Sequence, residues 1–169
     1  MPENAANNSF VRIQIENALW LLLKEKSLAD ISVSEIVRKA NVSRISFYRN
    51  SDCKEDILRS DLNHITEDFM RVSGIRYKDA ELCVYFETLF QHMKKHEKKC
   101  TILYKRGLIG LIKEQFDHSF VSTYKDIYGE FKASFLAGGI YNIFLLWLEH
   151  DSRESPKELA DQLKAVLEK

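Results

Sequence analysis

The sequence is short of the residues that interrupt regular structure, with only two prolines and six glycines among its 169 residues. This scarcity favours long helices over a fold rich in turns and strands. Hydrophobic residues make up 45 % of the chain, which is enough for a packed core, so disorder is not expected. We find no alternating pattern that would predict a strand, no internal repeat and no low-complexity segment.

Cysteine, a leader segment and long apolar runs are also scarce or absent. The three cysteines, Cys53, Cys83 and Cys100, are too few and too widely spaced to predict a disulfide framework, which is compatible with a reducing cytoplasm. The polar first ten residues lack the apolar centre of a signal peptide. The most apolar run, Ile140–Leu148, is interrupted by Asn142 and looks too short to cross a bilayer. We therefore expect a cytoplasmic protein with no membrane partner.

Common enzyme and metal motifs are missing as well. There is no glycine-rich phosphate loop, nucleophile elbow or credible carboxylate or Cys–His constellation, so we expect no enzyme and no cofactor. His92, His96 and Cys100 follow one another at four-residue intervals, which would align three metal ligands on a continuous helix. Four lysines surround them, and the helix is expected to end near Lys95 or His96. We therefore interpret them as solvated side chains at a helix end, and predict no metal site.

Charge is balanced in total but not along the chain. The 25 basic and 25 acidic residues give a formal net charge of zero, which argues mildly against nucleic-acid binding. Between residues 38 and 54, however, a single acidic residue accompanies five basic ones: Arg38, Lys39, Arg44, Arg49 and Lys54. Phosphate backbones respond to local charge, so this segment is a candidate contact surface.

The beginning of the chain predicts an amphipathic first helix. Apolar residues recur there at intervals of three and four, at Ile15, Ala18, Leu19, Leu22 and Leu23. We expect this helix to begin near residue 8 or 9 and to end around residue 26.

Two short helices are predicted next, joined by a tight turn. Ser32 and Glu35 form a capping box that opens the first of them. Asn41 tolerates the left-handed conformation that the turn needs, and Ser43 caps a helix that runs to about Arg49. This arrangement is typical of a helix-turn-helix.

The remainder predicts only helices, which makes the fold class all-α. The expected ranges are about 54–72, 79–95, 101–116 and 119–128, and the last can continue into a long apolar helix ending near residue 149. Ser155, Pro156 and Glu158 carry the signals that open a final helix. We predict a three-helix N-terminal helix-turn-helix head at residues 8–53 and a C-terminal helical body at residues 54–169.

The second helix of a helix-turn-helix lies in the major groove, with its first residues at the base edges. Val42 and Phe47 are expected to anchor that helix on the head. The side chains left to face outward, with Lys54 at the start of the following helix, are the candidate DNA contacts: Ser43, Arg44, Ile45, Ser46, Tyr48, Arg49 and Lys54. Arginine suits a guanine edge, an aliphatic chain suits a thymine methyl, and hydroxyls suit phosphates.

From residue 15 to residue 58 the chain resembles the TetR family of bacterial regulators. The apolar spacing matches the family's first helix, and Ile-Ser-Val-Ser-Glu-Ile at 31–36 resembles its Thr-rich entry to helix two. Asn-Val-Ser-Arg-Ile-Ser-Phe-Tyr at 41–48 resembles its Gly-Val-Ser-x-x-Thr-Leu-Tyr recognition segment. Lys-Glu-Asp-Ile-Leu at 54–58 resembles its Lys-Glu-Glu-Leu run.

The resemblance implies that Ser46, Tyr48 and Lys54 contact phosphates, whereas Arg44 and Ile45 meet bases. It also implies a regulator, more often a repressor, that binds a palindromic double-stranded operator as a homodimer and that a small-molecule effector can release.

Three positions depart from the family pattern. Ser27 and Asn41 stand where glycine is usual, and Ser51 stands where a phenylalanine packs the turn. Loss of that aromatic predicts a looser segment at residues 49–54.

The family layout implies a body whose last two helices form the dimer interface. The apolar character of residues 131–147 on nearly all sides fits a helix covered by its own core and by a partner. The candidate interface residues are Gly138, Gly139, Ile143, Trp147, Leu159 and Leu163. The alternative is that this segment is simply the central helix of a monomer.

A ligand pocket is expected among the fifth to eighth helices. Its candidate lining residues are Phe86, Phe90, Tyr104, Phe116, Tyr124, Tyr128, Phe135 and Tyr141. Such an aromatic stripe is more often plain core, but a buried tyrosine hydroxyl needs a partner that a ligand can supply.

Two functional hypotheses remain open at this point. The first is the ligand-responsive DNA-binding regulator described above. The alternative is a protein-interaction co-regulator that retains the helix-turn-helix fold without autonomous DNA binding, which the neutral total charge and Ser51 favour.

Overall fold

The computed structural model describes residues 2–73 and 82–167, and all regular structure within these ranges is helical. The head contains α1 (Pro2–Glu25), α2 (Val33–Ala40) and α3 (Arg44–Asn50). The body contains α4 (Lys54–Ser73), α5 (Leu82–Lys95), α6 (Glu97–Lys105), α7 (Gly110–Phe116), a π-helix (Asp117–Val121), α8 (Ser122–Tyr128), α9 (Glu130–Glu149) and α10 (Pro156–Leu167). The predicted all-α class, with a helix-turn-helix head on a helical body, is confirmed.

The first helix begins earlier than the sequence pattern predicts. It starts at Pro2 rather than near residue 8, because proline is favourable at the first position of a helix and its missing N–H costs nothing there. The predicted apolar face is buried as expected, from Ile15 through Leu23.

The capping signals of the head were interpreted correctly. The Ser32 hydroxyl accepts from the Glu35 N–H, and the Glu35 carboxylate accepts from the Ser32 N–H, as in a capping box. Asn41 ends α2 in the left-handed region, at φ 54°. Ser43 caps α3, its hydroxyl accepting from the Ser46 N–H at 3.0 Å.

Two helices of the body are broken where continuous ones were predicted. The range 101–116 contains α6 and α7, separated by Gly107 at φ 71°. The Leu108 N–H donates to the Leu103 carbonyl at 2.8 Å, which is how a left-handed glycine closes a helix C-terminus. Gly129, at φ 82°, likewise separates α8 from α9, so the helix over 119–128 does not continue into the long one.

The body is built around α9. Ala133, Ala137, Ile140, Phe144 and Trp147 are each at most 2 % exposed on its inner face. By length and composition alone this 20-residue helix is apolar enough to span a membrane. The run from Ile140 to Leu148, which looked too short to cross a bilayer, is only part of this longer apolar helix. Its burial within the helical body accounts for much of that apolar character. On the other side of the body α10 packs along α5.

Candidate functional site

The third helix presents one face to the core and the other to solvent. Phe47 is fully buried and Val42 packs partly buried against the core, so the two predicted anchors hold α3 on the head. On the opposite face Ile45 is 68 % exposed and Tyr48 is 58 % exposed. Exposed large apolar side chains contribute nothing to the core here, so they are available to a partner.

Hydrogen bonds orient the polar side chains at the start of α3. The hydroxyl oxygens of Ser43 and Ser46 lie 2.9 Å apart, and Ser43 serves as the cap of the helix. The Arg44 Nη2 donates to the Ser34 hydroxyl oxygen at 2.5 Å, which links α3 to α2. Arg49 is exposed on the same helix. The structure thus brings the predicted contacts of α3 together on one surface.

Lys54 has a structural role that the sequence did not indicate. Its ammonium Nζ donates to the carbonyl of Leu28 at 2.6 Å and to that of Ile31 at 2.7 Å. These bonds tie the α1–α2 loop to the first turn of α4. An ammonium has three N–H groups, so one remains for an anion.

Local hydrogen bonds lie on both sides of Ser51, in the segment for which its departure from the family pattern predicts looser packing. The Ser51 N–H donates to the Phe47 carbonyl at 3.1 Å, and the Asn50 side chain donates to the Ser46 carbonyl at 2.7 Å. At the other end the Cys53 N–H donates to the Asp56 carboxylate at 3.2 Å. Backbone and side-chain hydrogen bonds hold the turn where the family uses an aromatic ring.

A cavity of about 120 Å³ lies in the body, bounded by α4, α5, α6, α7, the π-helix, α8 and α9. Of the residues predicted to line a pocket, Phe116 and Tyr124 do so. Much of the apolar wall comes instead from α4, through Leu62, Ile65 and Phe69. The expectation of a pocket confined to helices five to eight was therefore wrong, because periodicity along α4 does not distinguish residues facing a cavity from residues facing solid core.

Phe86, Phe90 and Tyr141 were predicted to line the pocket but are not part of its wall. Phe86 and Phe90 are fully buried, and the Phe90 ring meets the Trp147 ring edge-on at 5.8 Å between centroids. Tyr141 is buried against Phe116, with ring centroids 6.2 Å apart. These rings fill the core.

Two other predicted lining residues lie at the surface, and a third is not described. The Tyr104 hydroxyl donates to the Glu149 carboxylate at 3.3 Å in a separate polar depression. Phe135 is 72 % exposed on the outer face of α9. The side chain of Tyr128 lies outside the described residues.

His92, His96 and Cys100 also line the cavity, which corrects their interpretation as solvated side chains. His92 Nε2 lies 2.9 Å from the Ile65 carbonyl, and the two imidazole centroids are 4.9 Å apart. Burial is the main cause that lowers the pKa of each imidazole, so both are neutral at pH 7. Burial raises the pKa of the Cys100 thiol to about 12, so it remains protonated.

The outer face of α9 exposes three large apolar side chains. Phe131 is 92 % exposed, Phe135 72 % and Leu146 51 %. Between them lie Gly138 and Gly139, and a Cβ added at either would meet no atom within 4 Å. We call these five residues the α9 outer face. All five are apolar, the glycine pair leaves the face flat near its centre, and the exposed Asn142 lies one turn beyond Gly138.

Four other predicted interface residues have little or no surface for a partner. Trp147 is 2 % exposed, and its indole N–H donates to the Glu154 carbonyl at 2.9 Å. Leu159 and Leu163 are 7 % and 9 % exposed, on the side of α10 that packs on α5. Ile143 is half-buried against the core. The core of the chain itself contains Trp147, Leu159 and Leu163. The sequence pattern could not show which face of α9 or α10 points towards that core.

Comparison with known proteins connects this architecture to a family. A model of the TetR family's transcriptional regulator C-terminal region matches residues 82–169, which is just over half of the chain. This chain belongs to the TetR family. The resemblance noted in the head is therefore confirmed by a match in the body.

Individual relatives agree with this assignment. The TetR-family chain is 25 % identical over 181 residues to the uncharacterised HTH-type transcriptional regulator YxbF of Bacillus subtilis (strain 168). That alignment covers 96 % of this chain and 44 % of YxbF, so the chain spans less than half the length of that relative. A solved TetR transcriptional regulator from Streptococcus agalactiae 2603V shares the fold, with a TM-score of 0.67, 17 % identity and 96 % of each chain covered.

Head and body of this TetR-family chain meet at a buried carboxylate. Asp61 of α4 is 8 % exposed, and its Oδ2 accepts from the Trp20 indole N–H of α1 at 3.0 Å. The same oxygen accepts from the Lys99 ammonium of α6 at 2.6 Å. Lys99 also lies over the Trp20 ring, 5.3 Å from its centroid. One carboxylate therefore joins three helices.

A second link holds α6 to the head. Arg106 follows the end of α6, and its Nε donates to the Leu23 carbonyl at 2.7 Å. Its Nη2 donates to the Lys24 carbonyl at 2.7 Å. These are carbonyls of the last turn of α1, which have no partner within the helix, and a cation is favourable there.

Replacing Asp61 with alanine should destabilise the protein by about 2–3 kcal/mol. The change leaves Lys99 and the Trp20 N–H without their acceptor, and an unpartnered buried polar group is costly. Urea unfolding measures the loss. The matched control is Asp68→Ala, which removes an exposed ion pair with Arg71 and should change stability by less than about 0.5 kcal/mol. Equal losses in the two variants would contradict the role of Asp61.

Glu16, beside this junction, predicts a pH-dependent effect. It is 7 % exposed, and burial, followed by the charge of Asp61, raises its pKa above the ordinary 4.5. Because folding raises its pKa, Glu16 contributes most to the stability of the folded state below pH 4.5. That contribution is lost as pH rises through the pKa of the folded state. Glu16→Gln mimics the protonated acid. It should therefore stabilise the protein at pH 7, and the gain should shrink as pH falls towards 4.5.

Urea unfolding between pH 4 and pH 8 measures this dependence. The control is Glu158→Gln, because hydrogen bonds from Ser155 lower the pKa of Glu158 and give the opposite sign. That variant should lose stability at neutral pH, with a smaller loss in acid. A Glu16→Gln effect that is constant across the series would show that Glu16 is not penalised as a buried charge.

Proposed function

We propose that this TetR-family protein binds a palindromic DNA operator as a homodimer and acts as a transcriptional repressor. The observation that carries the proposal is the outer face of α3. Arg44, Ile45, Tyr48 and Arg49 are all exposed there, whereas Phe47 behind them is fully buried. A helix anchored by one aromatic, with bonding groups on its free face, suits insertion into the major groove.

We assign the contacts of this surface by their chemistry. Arg44 and Ile45, near the start of α3, read base edges. Ser43, Ser46, Tyr48 and Arg49 meet phosphates and position the helix. Lys54 contributes its third N–H to a phosphate while its other two hold the α1–α2 loop.

Dimerisation supplies a second helix-turn-helix head for the other half of the palindrome. The α9 outer face supports this step, because Phe131, Phe135 and Leu146 are exposed around a glycine pair that lets another backbone approach closely. Antiparallel pairing of this face with a second copy would bury these rings. The two α3 helices then have to lie about 34–36 Å apart to reach successive major grooves.

The body cavity is the proposed site of a small-molecule effector that releases DNA. Three groups in α6 or directly after it support a route from the cavity to the head. Cys100 lines the cavity, its neighbour Lys99 bonds Asp61, and Arg106 holds the end of α1. A ligand that favours another position of α6 changes the head spacing by population shift. The protein would carry this out in the cytoplasm.

Selection of duplexes from random DNA by the purified chain tests the proposal. We expect a palindrome to be enriched. The alternative function, a co-regulator that binds protein but not DNA, has support from Lys54, since two of its donors are engaged within the head. It predicts that no sequence is enriched, and that outcome would overturn the proposed repressor.

Arg44→Ala and Tyr48→Ala should weaken operator binding in different ways. Loss of Arg44 removes a base contact, which should cost about 1–3 kcal/mol and relax specificity at one position of each half-site. Loss of Tyr48 should weaken all sequences to a similar extent, because a phosphate contact carries no sequence information. Fluorescence anisotropy on operator and scrambled duplexes measures both. Arg71→Ala, an exposed arginine at the end of α4, serves as the control, and an equal effect of all three variants would refute the assignment.

Phe135→Arg should convert the dimer into a monomer. It places a charge in the middle of the α9 outer face, where pairing would desolvate it without a partner. Sedimentation velocity measures the change in mass. The control is Val84→Arg, at a 46 % exposed position on α5 that lies outside this face. Dimers that persist in Phe135→Arg would show that another surface pairs the chains.

A further inference from the structure

The wall of the body cavity carries no formal charge. Among the described residues that line it there is no lysine, arginine, aspartate or glutamate. Most of the wall is aliphatic or aromatic, with Leu62, Phe69, Phe116 and Phe144 as examples. Transfer of an ion into such surroundings is costly without an opposite charge. The occupant that suits this wall is therefore neutral and largely apolar.

The volume of the cavity restricts the size of the occupant. It is about 120 Å³. An engineered apolar cavity of ~150 Å³ in another protein accepts benzene, so a single ring with small substituents is the matching scale. The π-helix at the wall, which contributes Ser119 and Phe120, is a form often found at functional sites.

Several donor hydrogens at the wall are already engaged by the protein itself. The Thr66 hydroxyl donates to the Leu62 carbonyl at 3.1 Å, and the Ser119 hydroxyl donates to the Gln115 carbonyl at 2.6 Å. In the neutral form of His92 the Nε2–H donates to the Ile65 carbonyl at 2.9 Å. On Thr66 and His92, acceptor lone pairs are thus more available to a ligand than the engaged protons.

The imidazole pair supplies the strongest of these acceptors. The His92 ring contacts Phe69, 5.3 Å away, and His96, 4.9 Å away, measured between ring centroids, and both ring pairs are tilted, at 51° and 55°. With Nε2 protonated, the Nδ1 of neutral His92 is a bare acceptor. In the part of the chain that the structure describes, no hydrogen bond engages the His96 ring, so its unprotonated nitrogen is also free to accept.

The charges around the pair favour the neutral form on balance. Burial lowers the pKa of both rings, and Lys95 and Lys99 act in the same direction. The hydrogen bond to the Ile65 carbonyl raises the pKa of His92, and Asp61 and Asp68 act in that direction more weakly, but burial outweighs them. An anionic ligand would need a protonated imidazole, whereas a hydroxyl donor needs the neutral one that is present.

We propose that the cavity binds a neutral, single-ring phenol, whose hydroxyl donates to the His92–His96 pair while its ring packs among the aromatic side chains. This inference rests on the proposed effector role of the cavity. Its ligand class follows from three properties of the wall: no formal charge, space for one ring, and a pair of neutral imidazoles that can accept a hydrogen bond.

Binding of four matched compounds to the full chain tests the ligand class. The probes are 4-ethylphenol, ethylbenzene, 4-ethylbenzoate and 4-ethylbenzylammonium. Isothermal titration measures affinity, and Trp147 fluorescence reports occupancy because its ring lies 6.4 Å from that of Phe144 in the wall. We expect 4-ethylphenol to bind about tenfold more tightly than ethylbenzene, as one net hydrogen bond allows, and both ions to bind more weakly still.

Variants of His96 test whether its imidazole accepts a hydrogen bond from the hydroxyl of the ligand. His96→Ala should reduce the preference for 4-ethylphenol over ethylbenzene, because only the His92 acceptor of the pair remains, and His96→Gln, which retains an acceptor, should keep more of it. The control is His150→Ala, an exposed histidine that follows the end of α9 and pairs with Glu154, which should leave the preference unchanged. Thermal unfolding by circular dichroism verifies that each variant is folded.

Two results would overturn the inference. Equal affinity for 4-ethylphenol and ethylbenzene would mean that no acceptor in the cavity bonds the ligand hydroxyl. Tighter binding of 4-ethylbenzoate would mean that a protonated histidine pair recognises an anion. If none of the probes binds while operator binding is intact, the ligand class is wrong but the DNA-binding proposal stands. If operator binding itself is absent, the proposed function fails whatever the titrations show.

Discussion

The carboxylate of Asp61 is the constraint on which the arrangement of head and body depends. It is almost completely buried, and a buried charge is tolerated only when its partners are well placed. Trp20 from α1 and Lys99 from α6 both donate to its Oδ2 atom. A displacement of either helix lengthens one of these bonds in a region of low dielectric, where the loss is large. The head is consequently coupled to the body through charge as well as through apolar packing.

The sixth helix is short, yet it and the residue that follows it contact the cavity, the buried carboxylate and the end of α1. Cys100 faces the cavity, Lys99 faces Asp61, and Arg106 bonds the last carbonyls of α1. Lys54 continues the connection by bonding both ends of the α1–α2 loop, at Leu28 and Ile31. Any coupling between cavity and α3 would be reciprocal, so DNA would disfavour a ligand as strongly as the ligand disfavours DNA.

Features that depend on neighbouring residues could be predicted from the sequence. The capping box of Ser32, the left-handed turn at Asn41 and the cap at Ser43 are each made within a few residues, and all three are present. The break at Gly107 was missed, because a glycine within an apolar periodic segment can either continue the helix or end it. Only the tertiary packing of α6 and α7 decides between the two.

Features that depend on distant residues could not be predicted. The carbonyl partners of Lys54 lie more than twenty positions earlier in the chain, and the basic charge alone suggested an anion instead. Trp147 and Phe135 are both apolar residues of one helix, and periodicity cannot say that the first faces the core and the second faces solvent. The assignment of pocket and interface residues was therefore least accurate where a helix is apolar on several sides.

The central claim is that α3 reads DNA as part of a symmetric, charge-dependent complex. The most direct measurement is the affinity for a selected duplex as a function of salt concentration. The account predicts a linear fall of log K with log salt, with a slope of about −0.9 for each phosphate neutralised and equal contributions from two heads. Affinity that does not vary with salt, or a slope that accounts for the phosphates of only one head, would contradict it.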